Sequence, residues 1–180
     1  KLSVSYENKI PTENVTESQI DKMLDKLAYY YDGYCFDKRG QKKVFSTWSV
    51  NNFFQEVKNT KEVLFGDYWY DNGGIPSILA NYLKSHKLNA VDYFDKNKVV
   101  TVPVEVYANP TSLLDIDQNV LMCQTGYLTL RSSLTVGAFG VNLGIPNYEI
   151  QKALSSLLAT KIFENNTLLN LSMDANDLFN

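Results

Sequence analysis

Residues 123–130 read CQTGYLTL and residues 139–150 read FGVNLGIPNYEI, and these two stretches decide the fold that the sequence predicts. Gly126 is placed to end a helix, because glycine takes the positive φ that closes a helix, and a strand follows at once. A second strand ends at Gly144–Pro146, where another helix begins. We therefore expect a β-hairpin over 127–143 between two helices, which is the local order of a winged-helix unit. An ordinary α+β hairpin packed under helices is the alternative.

The first helix has the clearest pattern. Thr16 and Gln19 form a capping box, and Gly33 is placed to end the helix. Apolar residues recur between them at helical spacing and predict one buried stripe, made of Ile20, Met23, Leu24, Leu27, Ala28 and Tyr31.

Four further helices are predicted by the same spacing. They cover 48–58, Pro76 to about Ser85, 112–125, and the residues that follow the N-cap Asn147. Their apolar faces carry Val50, Phe53, Phe54 and Val57, then Ile78, Leu79, Tyr82 and Leu83, and in the last helix Ile150, Ala153, Leu154, Leu157, Leu158 and Ile162.

Outside the hairpin, two further strand regions are predicted. Alternating valines indicate a half-buried strand over 99–107, and Pro103 places it at a sheet edge because proline cannot donate to a ladder. A short strand follows the basic turn DKRGQKK at 37–43. The sequence thus predicts a mostly helical α+β fold with a short additional sheet. We expect a helical segment over 1–110 that includes the edge strand, a winged-helix-like unit over 111–163 and a linker or tail over 164–180.

Composition narrows the class of protein. The 180 residues are 44% hydrophobic and 21% charged, with net charge −3 and a pI near 5.2. The acidic balance argues against broad electrostatic capture of nucleic acid. No run of about 18 uncharged apolar residues exists, so no membrane partner is expected. Cys35 and Cys123 fit a reduced, cytoplasmic protein better than a disulfide scaffold, and a chain that begins with Lys1 is expected to be processed or cut from something longer.

Motifs for phosphate or metal chemistry are weak. The glycine-rich turn DNGGIPS at 71–77 lacks the lysine of a phosphate-binding loop, and turn geometry explains its glycines. His86 is the only histidine, and neither cysteine has a CxxC partner. Asp115 and Asp117 are expected to begin a helix, where carboxylates favour the helix dipole. The nuclease-type triplet ENK at 7–9 has no preceding acid.

The residues also bear on two activities, a cysteine-dependent enzyme and DNA binding. Cys35 or Cys123 with His86 would make a nucleophile and base pair, but buried and inert thiols are the favoured interpretation. The hairpin loop from Ser132 to Asn142 has no Lys or Arg, so it is poorly equipped to bind DNA. The turn at 37–43 is able to touch a nucleic-acid backbone, although a solvated hairpin tip explains it equally well.

Several segments in order resemble one family. They are YYYDGYCFD at 29–37, KVFSTWSVNNFF at 43–54, YWYDNGGIPSILANYL at 68–83, LMCQTGYLTL at 121–130 and LGIPNYEIQKAL at 143–154. Together they resemble the bacterial AAA-ATPase-like proteins that usually carry a C-terminal PD-(D/E)XK-type nuclease domain. The resemblance covers about residues 16–155. Two departures, Ser46-Thr47 in place of Asn-Pro and Cys123-Gln124 before the Thr-Gly-Tyr, affect local turns.

The resemblance implies a role without catalysis in this chain. The family's nucleotide-binding motifs lie before the matching stretch and its nuclease motifs after it, so ATP and a divalent metal are implied for the parent protein only. The implied partners are an ATPase core and a nuclease-like domain in the same protein. The matching positions have structural interpretations and are Tyr31, Asp32, Gly33, Tyr34, Trp48, Phe53, Phe54, Trp69, Gly73, Gly74, Pro76, Gly126, Tyr127, Leu128, Gly144, Pro146 and Asn147. Trp48 and Trp69 in particular are expected to be core anchors.

The functional hypothesis is a regulatory segment that couples a nucleotide-binding core to a nuclease-like module. Exposed members of the matching set would meet the ATPase core, so that nucleotide state moves the winged unit. A standalone nucleic-acid-binding module is the main alternative, and an enzyme built on Cys35 or Cys123 is a third.

Overall fold

The structure is a computed structural model that describes residues 15–37, 39–69, 76–86, 93, 95, 97–110, 112, 115–131 and 140–166, with side chains to residue 159. These residues form six helices and five strands in two small antiparallel sheets, which confirms the predicted α+β class. None of the described helices is both long and apolar enough to cross a bilayer.

The helices are α1 (Glu17–Tyr31), α2 (Thr47–Thr60), α3 (Ser77–Ser85), α4 (Val104–Ala108), α5 (Gln118–Gln124) and α6 (Tyr148–Asn166). The strands are β1 (Tyr34–Cys35), β2 (Lys43–Val44), β3 (Val100–Pro103), β4 (Thr129–Leu130) and β5 (Gly140–Gly144).

The predicted hairpin is present as β4 and β5, which pair antiparallel with Thr129 opposite Gly144. β5 is the centre of a three-stranded sheet in the order β3–β5–β4, and β1 pairs with β2 separately. β3 lies at the edge of its sheet, as Pro103 predicted. The sheet takes strands from both sides of residue 110, where the predicted division into two segments was drawn.

The predicted strand over 99–107 is wrong in its second half, where residues 104–108 form α4. The partner strand β5 begins at Gly140, which lies opposite Pro103, so the ladder ends there. Beyond it the chain turns into a helix, and Asn109 N–H donates to the Glu105 carbonyl at 3.0 Å. Alternating valines predict a strand, but the pattern does not show where the ladder with the partner strand ends.

The predicted helix over 112–125 begins later, at Gln118. The Asp117 carboxylate accepts the backbone N–H groups of Asn119 and Val120 at 2.8 and 3.1 Å, which makes Asp117 the N-cap and fixes the start of α5. Asp115 lies in a turn before the helix, and its N–H donates to the Ser112 carbonyl. Asp115 therefore does not begin the helix as expected.

The capping box of α1 is confirmed, since Gln19 N–H donates to Thr16 Oγ1 and Thr16 N–H donates to the Gln19 side chain. The buried stripe holds only in the second half of the helix. Leu27 is buried, whereas Ile20 and Leu24 are 46% and 52% exposed. A smaller core covers the later turns, where Leu27, Tyr31, Phe53 and Tyr68 pack together.

The helix α2 buries less of its predicted apolar face than expected. Phe53 is buried in the smaller core, but its neighbour Phe54 is 55% exposed. Consecutive residues on a helix point about 100° apart, so one narrow contact cannot cover both rings.

The larger core is formed by α3, α5, β5 and α6. The predicted stripe of α6 is buried at Ile150, Ala153, Leu154, Leu157 and Leu158, while the side chain of Ile162 lies outside the described residues. In α3 the buried positions are Leu79 and Leu83, and Ile78 is 39% exposed. The helix α6 continues to Asn166, so the first residues of the predicted tail are helical.

Gly33 joins the end of α1 to the start of α6. Its φ is +107°, and a Cβ there would lie 2.1 Å from the carbonyl oxygen of Pro146. Both the backbone conformation and the close approach require glycine. The predicted role of Gly33 in ending α1 is thus joined by a second role in packing.

We expect Gly33→Ala to lower the free energy of unfolding by about 3 kcal/mol or more, because backbone strain and a clash with Pro146 add together. Gly40→Ala is the matched control, since Gly40 also has a positive φ, of 67°, in the basic turn. It should cost only about 1 kcal/mol. Urea denaturation of the two variants measures the difference, and equal losses would contradict the packing role of Gly33.

Candidate functional site

A cleft of about 780 Å³ opens between the β1–β2 hairpin with the start of α2 on one side and α4, α5 and β4 on the other. We call it the aromatic cleft. None of the described residues that line it is charged. The lining residues are Tyr34, Cys35, Phe36, Val44, Phe45, Ser46, Thr47, Trp48, Trp69, Tyr107, Ala108, Pro110, Cys123, Gln124, Gly126, Leu128, Thr129 and Leu130.

The two walls of the cleft are fixed to each other at its base. The Tyr34 hydroxyl donates to the Gly126 carbonyl at 2.8 Å. Thr129 Oγ1 accepts the Cys35 N–H at 2.8 Å and donates to the Cys35 carbonyl at 3.2 Å. The threonine side chain therefore takes the place of a backbone partner for β1, and the β1–β2 hairpin is attached to the edge strand β4.

Gly126 brings Trp69 to the floor of the cleft. Its φ is +83°, as the predicted helix end requires, and a Cβ there would lie 2.7 Å from the six-membered ring of Trp69. The Trp69 ring also packs edge-on against Tyr127, with centroids 6.4 Å apart. Trp69 is partly buried against the larger core, which agrees with its predicted role as an anchor.

Trp48 is not a core anchor, and this prediction is wrong. Its side chain is 50% exposed at the mouth of the aromatic cleft. Its indole Nε1–H donates to the Tyr68 carbonyl at 3.3 Å, which holds one edge of the ring. Phe36 is 80% exposed and lies parallel to Tyr34 at 6.4 Å. Sequence reasoning failed here because a large aromatic residue is buried more often than it is displayed.

Glu149 is a polar residue whose role sequence reasoning did not identify. It is fully buried, and its carboxylate accepts the Ser49 hydroxyl at 2.6 Å and the Trp69 N–H at 2.8 Å. It thereby connects α6, α2 and the chain that enters the cleft. Burial raises the pKa of the Glu149 carboxyl, and these hydrogen bonds oppose the rise. In sequence it looks like an ordinary acid in the first turn of a helix, so only its place beside the N-cap Asn147 hints at burial.

Asp37 organises the basic turn between β1 and β2. Its carboxylate accepts the backbone N–H groups of Lys42, Arg39 and Gln41. These hydrogen bonds, with that of Lys42 the strongest, lower the pKa of Asp37 to about 2. Because the carboxylate is used by the backbone, the side chains of Arg39 and Lys42 stay exposed without an ion pair among the described residues.

The two cysteines do not have the environment of nucleophiles. Cys35 is buried, Cys123 is half-buried, and both thiols are free. Burial raises the pKa of each thiol, which lowers the fraction of reactive thiolate. The Tyr107 hydroxyl lies 3.9 Å from Cys123 Sγ, and His86 stacks on Tyr82 at 3.9 Å.

The described residues contain no group of three His, Cys, Asp or Glu side chains arranged to hold a metal ion. The glycine-rich turn with Gly73 and Gly74 lies outside the described residues. Pro76 does precede a helix as predicted, but as its N-cap rather than within the first turn.

Six of the positions that carry the family resemblance lie at one junction. Asp32-Gly33 meets Pro146-Asn147, and Tyr34 meets Gly126. Asn147 caps α6 as predicted, since its Oδ1 accepts the Ile150 N–H at 3.0 Å. Other members of the set, Tyr31, Phe53, Tyr127, Leu128 and Gly144, are buried in the two cores or lie in the sheet beside the junction.

No family model, curated protein or solved structure matches the chain.

Two variants of Glu149 distinguish the contribution of its hydrogen bonds to stability from the contribution of its charge. Glu149→Ala should lower the free energy of unfolding by about 2–4 kcal/mol at pH 7, because the Trp69 N–H loses its acceptor and the Ser49 hydroxyl keeps only its contact with the Ser46 hydroxyl at 2.9 Å. Glu149→Gln should cost much less, since an amide oxygen still accepts and no charge is buried.

The pH dependence of stability, compared between the wild-type protein and Glu149→Gln, tests whether the buried carboxyl is charged. A raised pKa in the folded state means that protonated Glu149 favours folding, so its contribution is full below the unfolded pKa near 4.5 and is lost as pH rises through the folded pKa. Relative to Glu149→Gln, the wild-type protein should therefore lose stability as pH rises from 4.5. Urea titrations at several pH values measure this, and a constant difference between the two proteins would contradict a buried carboxylate.

Thiol reactivity tests the enzyme hypothesis. Because burial raises both thiol pKa values, Cys35 and Cys123 should react with iodoacetamide at pH 8 at least about 10-fold more slowly than a free cysteine. Mass spectrometry of the time course resolves the two sites. Rapid and selective modification of either cysteine in the folded protein would revive a catalytic thiol.

Proposed function

We propose that this chain is a non-catalytic regulatory and interaction segment of an AAA-ATPase-like protein that couples a nucleotide-binding core to a nuclease-like module. The observation that carries the proposal is the aromatic cleft, an uncharged surface with a half-exposed tryptophan held in place by a hydrogen bond. The parent protein would supply ATP binding and the divalent metal, and it would act in the cytoplasm.

The chemistry of the cleft suits a protein partner. Exposed apolar patches rimmed by polar residues mark interaction sites, and tryptophan and tyrosine contribute most to binding at such sites. Trp48 and Phe36 display apolar rings at the mouth, and the base is closed by Tyr34 and Thr129. The walls come from hydrogen-bonded elements, so little ordering is needed when a partner binds.

The topology also supports a winged-helix unit within this proposal. The described elements follow the order α3, β3, α4, α5, β4 and β5, with β3 and β4 on either side of β5, which is the order that a winged helix would require. This same order favours the alternative function, a standalone nucleic-acid-binding module. Against it, α5 has the sequence QNVLMCQ, without a cation, and buries Val120, Leu121 and Met122. Phosphate contacts by Lys and Arg dominate non-specific binding to nucleic acid, so a protein partner fits better.

Two aromatic residues on α2 provide a matched test. Trp48 and Phe54 are 50% and 55% exposed on the same helix, but only Trp48 lines the cleft. In the whole protein that carries this chain, Trp48→Ala should change ATP turnover by about 5-fold or more, as expected for lost coupling between domains. Phe54→Ala should leave turnover within about 2-fold.

The controls separate coupling from folding and from the alternative. Each substitution should cost no more than about 1 kcal/mol of stability, because both rings are half-exposed. Equal turnover in the two variants would contradict the proposal. Steeply salt-dependent binding of the chain to duplex DNA, lost in Arg39→Ala with Lys42→Ala, would favour the nucleic-acid-binding module instead.

A further inference from the structure

The rim of the aromatic cleft carries unpaired positive charge. The turn from Asp37 to Lys43 connects Phe36 and Val44, both of which line the cleft. Within it Arg39 and Lys42 are exposed, and neither forms an ion pair with a described residue. The Asp37 carboxylate accepts backbone N–H groups of the turn, and its one negative charge offsets only one of the four cations in residues 38–43. An apolar, uncharged cleft with cations at one edge selects an acidic segment that has apolar anchors.

The chain contains such a segment in residues 167–180, which read TLLNLSMDANDLFN and lie outside the described residues. This stretch has no Lys or Arg. It carries two carboxylates, Asp174 and Asp177, followed directly by Leu178 and Phe179. Its charge is thus opposite to that of the rim, and its large apolar side chains match the aromatic lining.

The segment is also long enough to reach the cleft. The first turn of α6 lies beside the cleft, because the Glu149 carboxylate accepts the N–H of the lining residue Trp69. From there α6 extends 19 residues, about 28 Å, to Asn166. The 14 residues that follow span up to about 46 Å when extended, so they can return along the length of the helix.

We propose that residues 167–180 bind in the aromatic cleft of the same molecule and compete with the partner that the cleft serves. The apolar side chains lie against the cleft walls, and the Asp174 and Asp177 carboxylates lie beside Arg39 and Lys42. The proposal rests on the proposed function, since it names what regulates the same surface. The chain then exposes its interaction site only when a partner displaces the segment.

The test uses site-specific photocrosslinking in the full 180-residue chain. p-Benzoylphenylalanine replaces Trp48 in one variant and Phe54 in a matched control. After illumination, the Trp48 position should crosslink to peptides from residues 167–180 within one molecule. The Phe54 position, equally exposed but outside the cleft, should give at least about 5-fold less of this product.

Charge reversal tests the electrostatic part. Asp174→Lys with Asp177→Lys should reduce the crosslink from the Trp48 position about 3- to 10-fold, which is the effect of losing two exposed ion pairs. Arg39→Asp with Lys42→Asp should reduce it by a similar factor, and the four substitutions together should restore it. The crosslink should also weaken in 0.5 M salt, because exposed pairs are screened.

Each other result overturns the proposal. Equal crosslinking from both positions, or none from the Trp48 position, would show that the segment does not occupy the cleft. A product between isotopically light and heavy chains would show that a second copy occupies it. If the crosslink fails while Trp48→Ala still changes ATP turnover in the whole protein, the proposed function stands and only the occupancy by residues 167–180 is wrong.

Discussion

The buried carboxylate of Glu149 is the interaction on which the arrangement of this chain depends. It lies in the first turn of α6, where the helix dipole favours a negative charge, and it holds the Ser49 hydroxyl of α2 and the N–H of Trp69. Taking a carboxylate out of water costs several kcal/mol unless hydrogen bonds replace hydration. Two donors offset part of that cost here, and the pKa of the Glu149 carboxyl stays raised because burial outweighs them. They also place α2 and Trp69 against α6, and this sets one wall of the cleft.

The second constraint is the close contact between backbones that Gly33 permits. Because Gly33 touches the Pro146 carbonyl, β1 must leave α1 directly beside the start of α6. From there Tyr34 and Cys35 reach Gly126 and Thr129 on the opposite wall. Glu149 holds α2 and Trp69 against α6, and Gly33 places β1 beside the start of α6. Both residues therefore position the walls of the aromatic cleft. Trp48 and Phe36 are exposed in the cleft because the elements that carry them, α2 and the β1–β2 hairpin, are held by contacts at its base and outside it.

The sequence predicts those elements whose signals are local. The capping box of α1, the N-cap Asn147, the apolar stripe of α6 and the positive φ of Gly126 all depend on residues a few positions apart, and all are found. Predictions failed where a distant partner decides. The strand predicted over 99–107 ends at Pro103, opposite the residue at which β5 begins, and Ile20 and Leu24 are exposed because no described element covers that half of α1.

The candidate site also depends on contacts between residues far apart in sequence, which the sequence does not predict. Trp48 reads as a core residue, and only the three-dimensional arrangement shows it at the mouth of a cleft. The pairing of Thr129 with β1 and of Ser49 with Glu149 spans 94 and 100 residues, which no periodicity records. The segments that carry the family resemblance supply both buried and exposed side chains, and their sequence does not indicate which are which.

Amide hydrogen exchange of the whole protein, with and without ATP, tests the central claim most directly. If the chain couples a nucleotide-binding core to another module through the aromatic cleft, ATP should change the protection of β1, β2 and the start of α2, and leave the buried turns of α6 unchanged. ATP binding without any change in protection at the cleft would contradict the account.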